Sequence, residues 1–530
     1  MSFADTIFKR TYAYHENETW EECAHRVANF VTAQSKDKCL HDQLVAAIVF
    51  KKFIPGGRYL YSSGRKIPQV NNCTLLRAED SREGWGDLAL KCTTTLATGA
   101  GVGVEYTDIR ERGAPIRGYG GTASGPVSLM KMINEVSRYI LAGGKRRSAL
   151  WAGLNWNHPD VEEFIEAKNW TTQIRACKEA DFNFPAPLDM TNISVGLDDA
   201  FFEEIKDGNK KAYDLYYRIC KSMLKTGEPG FAVNAHGRGR QNLRNACTEI
   251  VSDRTGDVCN LGSINLGRIN SMDELHWVTE AAVHFLYLGT FVGWLPHDDY
   301  RVVRNDYRRI GLGLMGLHEW CLKNDAPYGP SDKLASWLKV WKEVSDHTAD
   351  RVAKLYDDAR PIAVRSIAPT GTIGIIGETT TGVEPIYCVA YKRRFLGNNG
   401  RWKFSYVVDP TAQRLIEHGV NPSKIEDAYK LSLDVERRIK MQHFVQGYVD
   451  QGISSTINLP AWGEPGNNNA RHFAQTLLKY LPDLRGITVY PEGARAGQPI
   501  TPIEYEMAVK HKDVVFEESE ERCAGGVCGI

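Results

Sequence analysis

Five residues, Asn245-Ala246-Cys247-Thr248-Glu249, set a thiol between an amide and a carboxylate. Twelve residues past Cys247, a second thiol opens the run Cys259-Asn260-Leu261-Gly262-Ser263-Ile264-Asn265-Leu266. A thiol gives up a hydrogen atom or an electron pair, and a carboxylate takes a proton. A second thiol closes a disulfide and so delivers two electrons. That set of groups points to redox chemistry on a substrate carrying hydroxyls. Buried cysteine is more often a small inert hydrophobe, so the rest of the chain must decide.

Further candidates lie along the chain. Four residues, Gly525 and Gly526 among them, separate Cys523 and Cys528 in a charged terminal stretch. A tail with two thiols and freedom to turn can carry reducing equivalents. The alternative is a metal site, which needs two more Cys or His nearby. Cys73 follows Asn71-Asn72 on a strand-like run, where a cysteine is more often core. Pro369-Thr370-Gly371-Thr372 reads as a turn whose N–H and hydroxyl groups face a phosphate, or as a plain turn. Gly99-Ala-Gly-Val-Gly103 lacks the rest of a dinucleotide fingerprint and reads as a tight turn where the backbone approaches a neighbour. The glycine-rich run Gly118 to Pro126 precedes a helix, and Lys145-Arg146-Arg147 reads equally as a solvated face or a phosphate contact. Tyr216 and Tyr217 belong to a helix core.

These groups need a frame. Residues 1 to about 55 carry helical periodicity through Trp20, Val27, Phe30 and Val31, then Leu44, Ala47, Ile48 and Phe50, and Pro55-Gly56-Gly57 ends it. From about 70 to 490, β-branched runs alternate with amphipathic helices, which predicts an α/β sheet or barrel. Leu129, Met132, Ile133, Val136 and Ile140 are assigned to one helix face. Ile310, Leu312, Leu314, Met315 and Leu317 are assigned to a second helix. Of 530 residues, 42% are hydrophobic and 25% charged, and the formal net charge is zero. Nothing in that balance favours nucleic acid or an anionic membrane. No apolar run approaches the roughly 18 residues of a membrane span, and Met1 to Arg10 has no secretory pattern. A cytoplasmic location is expected, with free thiols and only transient disulfides.

Taken in order, these segments resemble the catalytic subunit of ribonucleotide reductases. The resemblance rests on Phe8 to Tyr12, Pro55 to Arg58, Asn71 to Cys73, Thr107 to Arg110, Gly120 to Pro126, Arg146 to Ser148, Gly227 to Gly230, Asn245 to Glu249, Cys259 to Leu266, Pro369 to Thr372 and the cysteine tail. Gly120 to Pro126, Thr501 to Tyr505 and the ending are most similar to the adenosylcobalamin-dependent, monomeric triphosphate-reducing kind. The resemblance implies a ten-stranded α/β barrel with a central finger loop. A helical region, 1–70, would precede the barrel, 71–495. A flexible segment with the redox tail, 496–530, would follow.

It also implies roles. Cys247 would carry the thiyl radical, Glu249 would be the base on the 3′ hydroxyl, and Asn245 would orient the sugar. Cys73 and Cys259 would supply two electrons and end as a disulfide. Cys523 and Cys528 would reduce that disulfide and be recharged by thioredoxin or a glutaredoxin-like dithiol. Thr370, Gly371 and Thr372, with Pro369, would hold substrate phosphates, and Asn72 would lie near base or sugar. No protein-ligated metal is implied; the cofactor would be adenosylcobalamin. The alternative is a radical-generating metal subunit, for which Ile487 to Pro491 offers one tyrosine, Tyr490, where the relay uses an adjacent pair. An inactive nucleotide-binding regulatory subunit is the reading of another class. Two departures stand out: Ala246 and Thr248 replace the family's usual Pro and Gly on either side of the radical cysteine. No complete N-terminal ATP cone is apparent, and 95–108 and 125–146 are compact where relatives carry effector-binding segments.

Overall fold

The structure is a computed structural model. It describes residues 3–517, apart from 119, 143–145, 182, 397–401, 495–499 and 512–513. The tail cysteines Cys523 and Cys528 lie outside the described residues.

Five strands pair in parallel: β1 (Cys73–Arg77), β2 (Gly101–Glu105), β3 (Leu150–Asn155), β4 (Thr191–Asp198) and β5 (Gly230–Asn234). They are buried almost throughout, with crossover helices on one face and the finger hairpin against the other of β1 to β3. A short hairpin follows, β6 (Leu243–Arg244) against β7 (Val251–Ser252). Then comes a second set: β8 (Asp257–Cys259), running past Asn260 into β9 (Leu261–Asn265), and β10 (Gly311–Met315), parallel to β9. Single parallel bridges, Leu312 to Arg365 and Ile367 to Ile453, carry that order to the chain entering β11 (Thr456–Leu459), which pairs in parallel with β12 (Gly486–Pro491). The two sets meet antiparallel, β8 on β1 and β12 on β5. Counting the bridged segments, each set has five members, which agrees with the ten-strand α/β arrangement expected from sequence.

The helices at residues 20–32 and 40–49 join the same apolar core as β9 and β10, through Val27, Leu44, Ile48, Ile264, Leu312 and Leu314. The two longest helices, Met272–Val292 and Asp332–Tyr356, pack on each other outside that half. Each starts at a serine whose side chain accepts the backbone N–H three residues on. Ile500–Pro502 and Val515–Glu517 pair with the hairpin Ala390–Leu396 and Trp402–Val408. Among the described residues no helix is long and apolar enough to cross a membrane.

Three local expectations change. Gly311–Met315 is a strand, not a helix. Its Gly-Leu alternation has a period of two, and a Cβ on Gly313 would sit 2.7 Å from the Ser366 carbonyl oxygen. Met132 is exposed, so the buried face of helix Pro126–Arg138 is Leu129, Met130 and Ile133. Within 99–103 only Gly99, at φ 93°, turns the chain; Gly101 and Gly103 lie in β2.

Candidate functional site

The hairpin β6–β7 packs against β1, β2 and β3. On its other side, Gly452 N–H donates to the Glu249 carbonyl at 2.8 Å. The hairpin is therefore held between the two strand sets, as a finger through the middle. Its passage dictates two glycines. A Cβ on Gly103 would overlap the Arg244 carbonyl, and one on Gly101 would lie 2.9 Å from Ala246 Cβ and 3.2 Å from Cys73 Sγ. Cys73, Leu75, Leu243, Ala246, Ile250, Leu261 and Ala368 form a small apolar cluster that seats the finger.

The tip is a turn. Thr248 N–H donates to the Asn245 carbonyl at 3.0 Å, and Thr248 takes φ 68°. That is the left-handed region, where glycine carries no steric cost. The Asn245 Oδ1 accepts the Ile250 N–H at 3.0 Å, which fixes the amide and leaves its Nδ2 without a partner. Glu249 is 1% exposed, and its Oε2 is also unpaired. Burial raises the Glu249 carboxyl to about 7, although the neighbouring Asn245 amide pulls it down. Cys247 opens onto the cavity yet is densely surrounded. Burial first, then the Glu249 carboxylate and Cys73, lifts its thiol well above the usual range. The group stays an S–H, suited to hydrogen-atom exchange rather than thiolate attack.

One cavity of about 280 Å³ gathers most of the expected residues. Its walls include Cys247, Glu249, Cys73, Asn72 and the run Pro369 to Thr372. Asn245 is buried behind it. Cys259 is placed by backbone register alone: it stands directly opposite Cys73 in the β8–β1 pair. Opposed residues of an antiparallel pair have Cα atoms about 4.5–5.5 Å apart, within the Cα range that a disulfide spans. Thr370 has φ 52°, and its hydroxyl accepts the Gly382 N–H at 2.7 Å, so the turn is braced from behind.

The cavity also contains residues to which sequence reasoning assigned no role: Tyr12, Gly56, Arg58 and Ser263. Arg58 is the one basic side chain in the wall, and Glu249 the one acidic. The Arg58 guanidinium donates to the Ser62 hydroxyl at 2.9 Å and the Gln69 carbonyl at 3.3 Å, and it lies 5.2 Å from the Tyr61 ring centre. Phe8 to Tyr12 and Pro55 to Arg58 were the available signals, but nothing in their spacing tells which side chain faces inward.

Comparison with known proteins adds the following. The family described as "Ribonucleotide reductase, barrel domain" matches residues 71–213, 204–355 and 359–490. A vitamin B12-dependent ribonucleoside-diphosphate reductase of Mycobacterium tuberculosis (strain CDC 1551 / Oshkosh) is 28% identical over 540 residues, covering 90% of this chain and 75% of the relative. A putative adenosylcobalamin-dependent ribonucleoside-triphosphate reductase of Mycobacterium phage D29 is 26% identical over 551 residues, covering 85% of this chain and 75% of the relative. Among solved structures, the class Id ribonucleotide reductase alpha subunit of Actinobacillus ureae superposes with a TM-score of 0.75 at 16% identity, covering 93% of this chain and 97% of that one. At that identity it speaks to the fold alone.

Proposed function

The chain belongs to the ribonucleotide reductase family, as its catalytic barrel subunit, and from that premise we propose how its residues divide the reduction of a ribonucleotide. Cys247, as a thiyl radical, takes the hydrogen from the ribose 3′ carbon. Glu249 takes the 3′-hydroxyl proton, for which a carboxyl near 7 is matched at neutral pH. The free Asn245 Nδ2 holds a sugar hydroxyl. The 2′ hydroxyl leaves as water, with a proton supplied by the Cys73 and Cys259 thiols. Cys73 and Cys259 give two electrons, become a disulfide, and Cys247 returns the hydrogen to the 3′ carbon. The observation that carries this reading is the finger tip. It presents Cys247 and Glu249 to one cavity whose wall includes Cys73, the register partner of Cys259.

Thr370, Gly371 and Thr372 bind the phosphates, with Pro369 shaping the turn and Asn72 facing base or sugar. Arg58, the cation of the same wall, supports the more highly charged triphosphate as substrate. Cys523 and Cys528 regenerate the Cys73–Cys259 pair and are recharged by a thioredoxin- or glutaredoxin-like dithiol protein in the cytoplasm. The division into 1–70, 71–495 and 496–530 is kept as the working domain plan.

The radical source is adenosylcobalamin, a reading supported by one relative named vitamin B12-dependent and another named adenosylcobalamin-dependent. The site fits a bulky group approaching Cys247. Gly99, Ala100 and Ala149 make a small-residue wall, and an added Cβ on Gly371 would meet no atom within 4 Å. When bound there, the cofactor supplies the one-electron oxidation that converts the Cys247 thiol to a radical. The chain's own part is to keep that thiol protonated and shielded from water. A separate metal subunit is the second reading. It draws on Tyr490 sharing a small cavity with Tyr387 and Tyr429. Anaerobic turnover of CDP and CTP with a dithiol, with and without adenosylcobalamin, tests both points. Deoxynucleotide is expected only with the cofactor, and faster from CTP. Product without cofactor once a metal subunit is added, and none with cofactor alone, would reverse the assignment.

A further inference from the structure

A second cavity, of about 490 Å³, lies at the foot of the finger hairpin and takes no part in the reaction described above. It is lined by Arg238, Lys342, Arg365 and Asp450, with His236, His443 and Asp483 at one side. The carboxylates there are already committed. Asp483 accepts from His236 at 3.0 Å and His443 at 3.1 Å. Asp450 accepts the Val364 and Arg365 N–H groups, both at 2.7 Å. Arg365 is paired with Asp346 at 2.8 Å. Arg238 and Lys342 are different: neither head group forms an ion pair or hydrogen bond among the described residues, and both are part-exposed.

The positive charge continues inward. Arg485 is 1% exposed and Arg244 is fully buried, and the Nε of each has no partner. Arg485 donates to the Gln241 side-chain oxygen at 3.1 Å, and Arg244 to carbonyl oxygens that include that of Arg485 at 3.3 Å. No ion pair with a carboxylate is formed by either among the described residues. Burial, with Arg244 and Arg238 close by, pushes the Arg485 guanidinium well below its usual range. Glu105 acts on Arg244 and Asp450 on Arg485, yet burial, joined at Arg485 by the neighbouring cations, outweighs them. Crowding cations in this way is costly, and an anion in the adjoining cavity would relieve it.

We propose that the cavity formed by Arg238, Lys342 and the 446–450 segment binds a phosphate-bearing anion. Such a ligand would be felt at the active centre through short backbone paths. The 446–450 wall continues to Gly452, which holds the Glu249 carbonyl. Arg244 is itself the last residue of the finger's first strand. The inference does not depend on the substrate or radical source assigned above.

The test is hydrogen exchange and calorimetry on the full chain with inorganic tripolyphosphate, inorganic phosphate and dATP as probes. Tripolyphosphate is expected to slow exchange across 236–244 and 446–452. The paired substitutions Arg238→Ala and Lys342→Ala should weaken its binding at least tenfold, while Arg58→Ala, in the catalytic cavity, should leave this protection in place. Tighter protection by dATP than by tripolyphosphate identifies a nucleotide as the source of the phosphate, and equal protection a free phosphate. Absence of protection in these two segments, or protection that survives the paired substitutions, overturns the proposal.

Discussion

Glu249 carries its charge where burial opposes it, and the consequence can be worked out in sign. Its carboxyl rises from 4.5 to about 7 in the fold. Between those values the unfolded chain has lost the proton and the folded chain has kept it, so stability falls as pH rises through this window and levels off above it. At about 1.4 kcal/mol per pH unit, the loss is roughly 3 kcal/mol. Glu249→Gln is expected to end turnover yet raise the unfolding midpoint at pH 8, with little gain at pH 5. An equal gain at both pH values would refute burial as the cause. In the native chain, kcat/KM should climb through about pH 7, as the base ionises. Thr248, like Thr370 in the facing turn, holds a strained backbone. A β-branched side chain at φ 68° costs about 1–2 kcal/mol. The structure thus accounts for the glycine usual in this family, and shows that threonine is borne here at a cost. Thr248→Gly should stabilise by about 1 kcal/mol in denaturant melts with turnover retained; a lower midpoint would show that the threonine side chain contributes packing that outweighs its strain.

At the scale of elements, the finger works because β2 lacks side chains where the hairpin crosses it. Gly103→Ala places a methyl on the Arg244 carbonyl. Because backbone cannot swing away as a side chain can, the hairpin must shift. Overpacking of this kind costs about 1–3 kcal/mol, and a shifted tip misplaces Cys247. A fall in unfolding midpoint together with a tenfold or larger loss of kcat is the expected outcome, and native kcat in the variant would show that the tip is positioned from elsewhere. These same glycines explain what was legible in the sequence. Cys247, Glu249 and Asn245 stood out because their types are chemical and their spacing is short. The strand-and-helix alternation of 71–490 was readable because burial on both faces leaves long apolar runs. Gly311 to Met315 misled because its leucines fit a helix stripe, while the decisive fact, the close approach of segment 365–367, is a contact across the fold. Arg58 was missed for the same reason: a lone arginine after two glycines has no periodicity, and only tertiary structure puts it in the wall with Glu249. The opposition of Cys73 and Cys259 is likewise a register, set by strand pairing between positions far apart in sequence.

For the whole molecule, the question is how a recessed site is reset after each cycle. Cys73 is buried, and its register partner lies on a strand pair closed over by the finger. A disulfide formed there is out of reach of a folded reductant of any size, since a protein surface cannot enter a cavity of about 280 Å³. A thin segment of the chain itself can, which is why Cys523 and Cys528, with four residues including two glycines between them, fit a shuttle. Exchange needs an attacking thiol and a second to release the mixed disulfide, so one tail cysteine is not enough for repeated cycles. In the proposed division of roles, however, the chemistry spends only the electrons of Cys73 and Cys259. Cys523→Ser is therefore expected to give about one deoxynucleotide per chain in a rapid-quench experiment on pre-reduced protein, then stop, even with excess thioredoxin-like reductant. Cys247→Ser should give none from the start. A Cys523→Ser chain that turns over repeatedly with a protein reductant would show that the internal disulfide is reached directly, and one that fails its first cycle would place Cys523 in the chemistry rather than the reset.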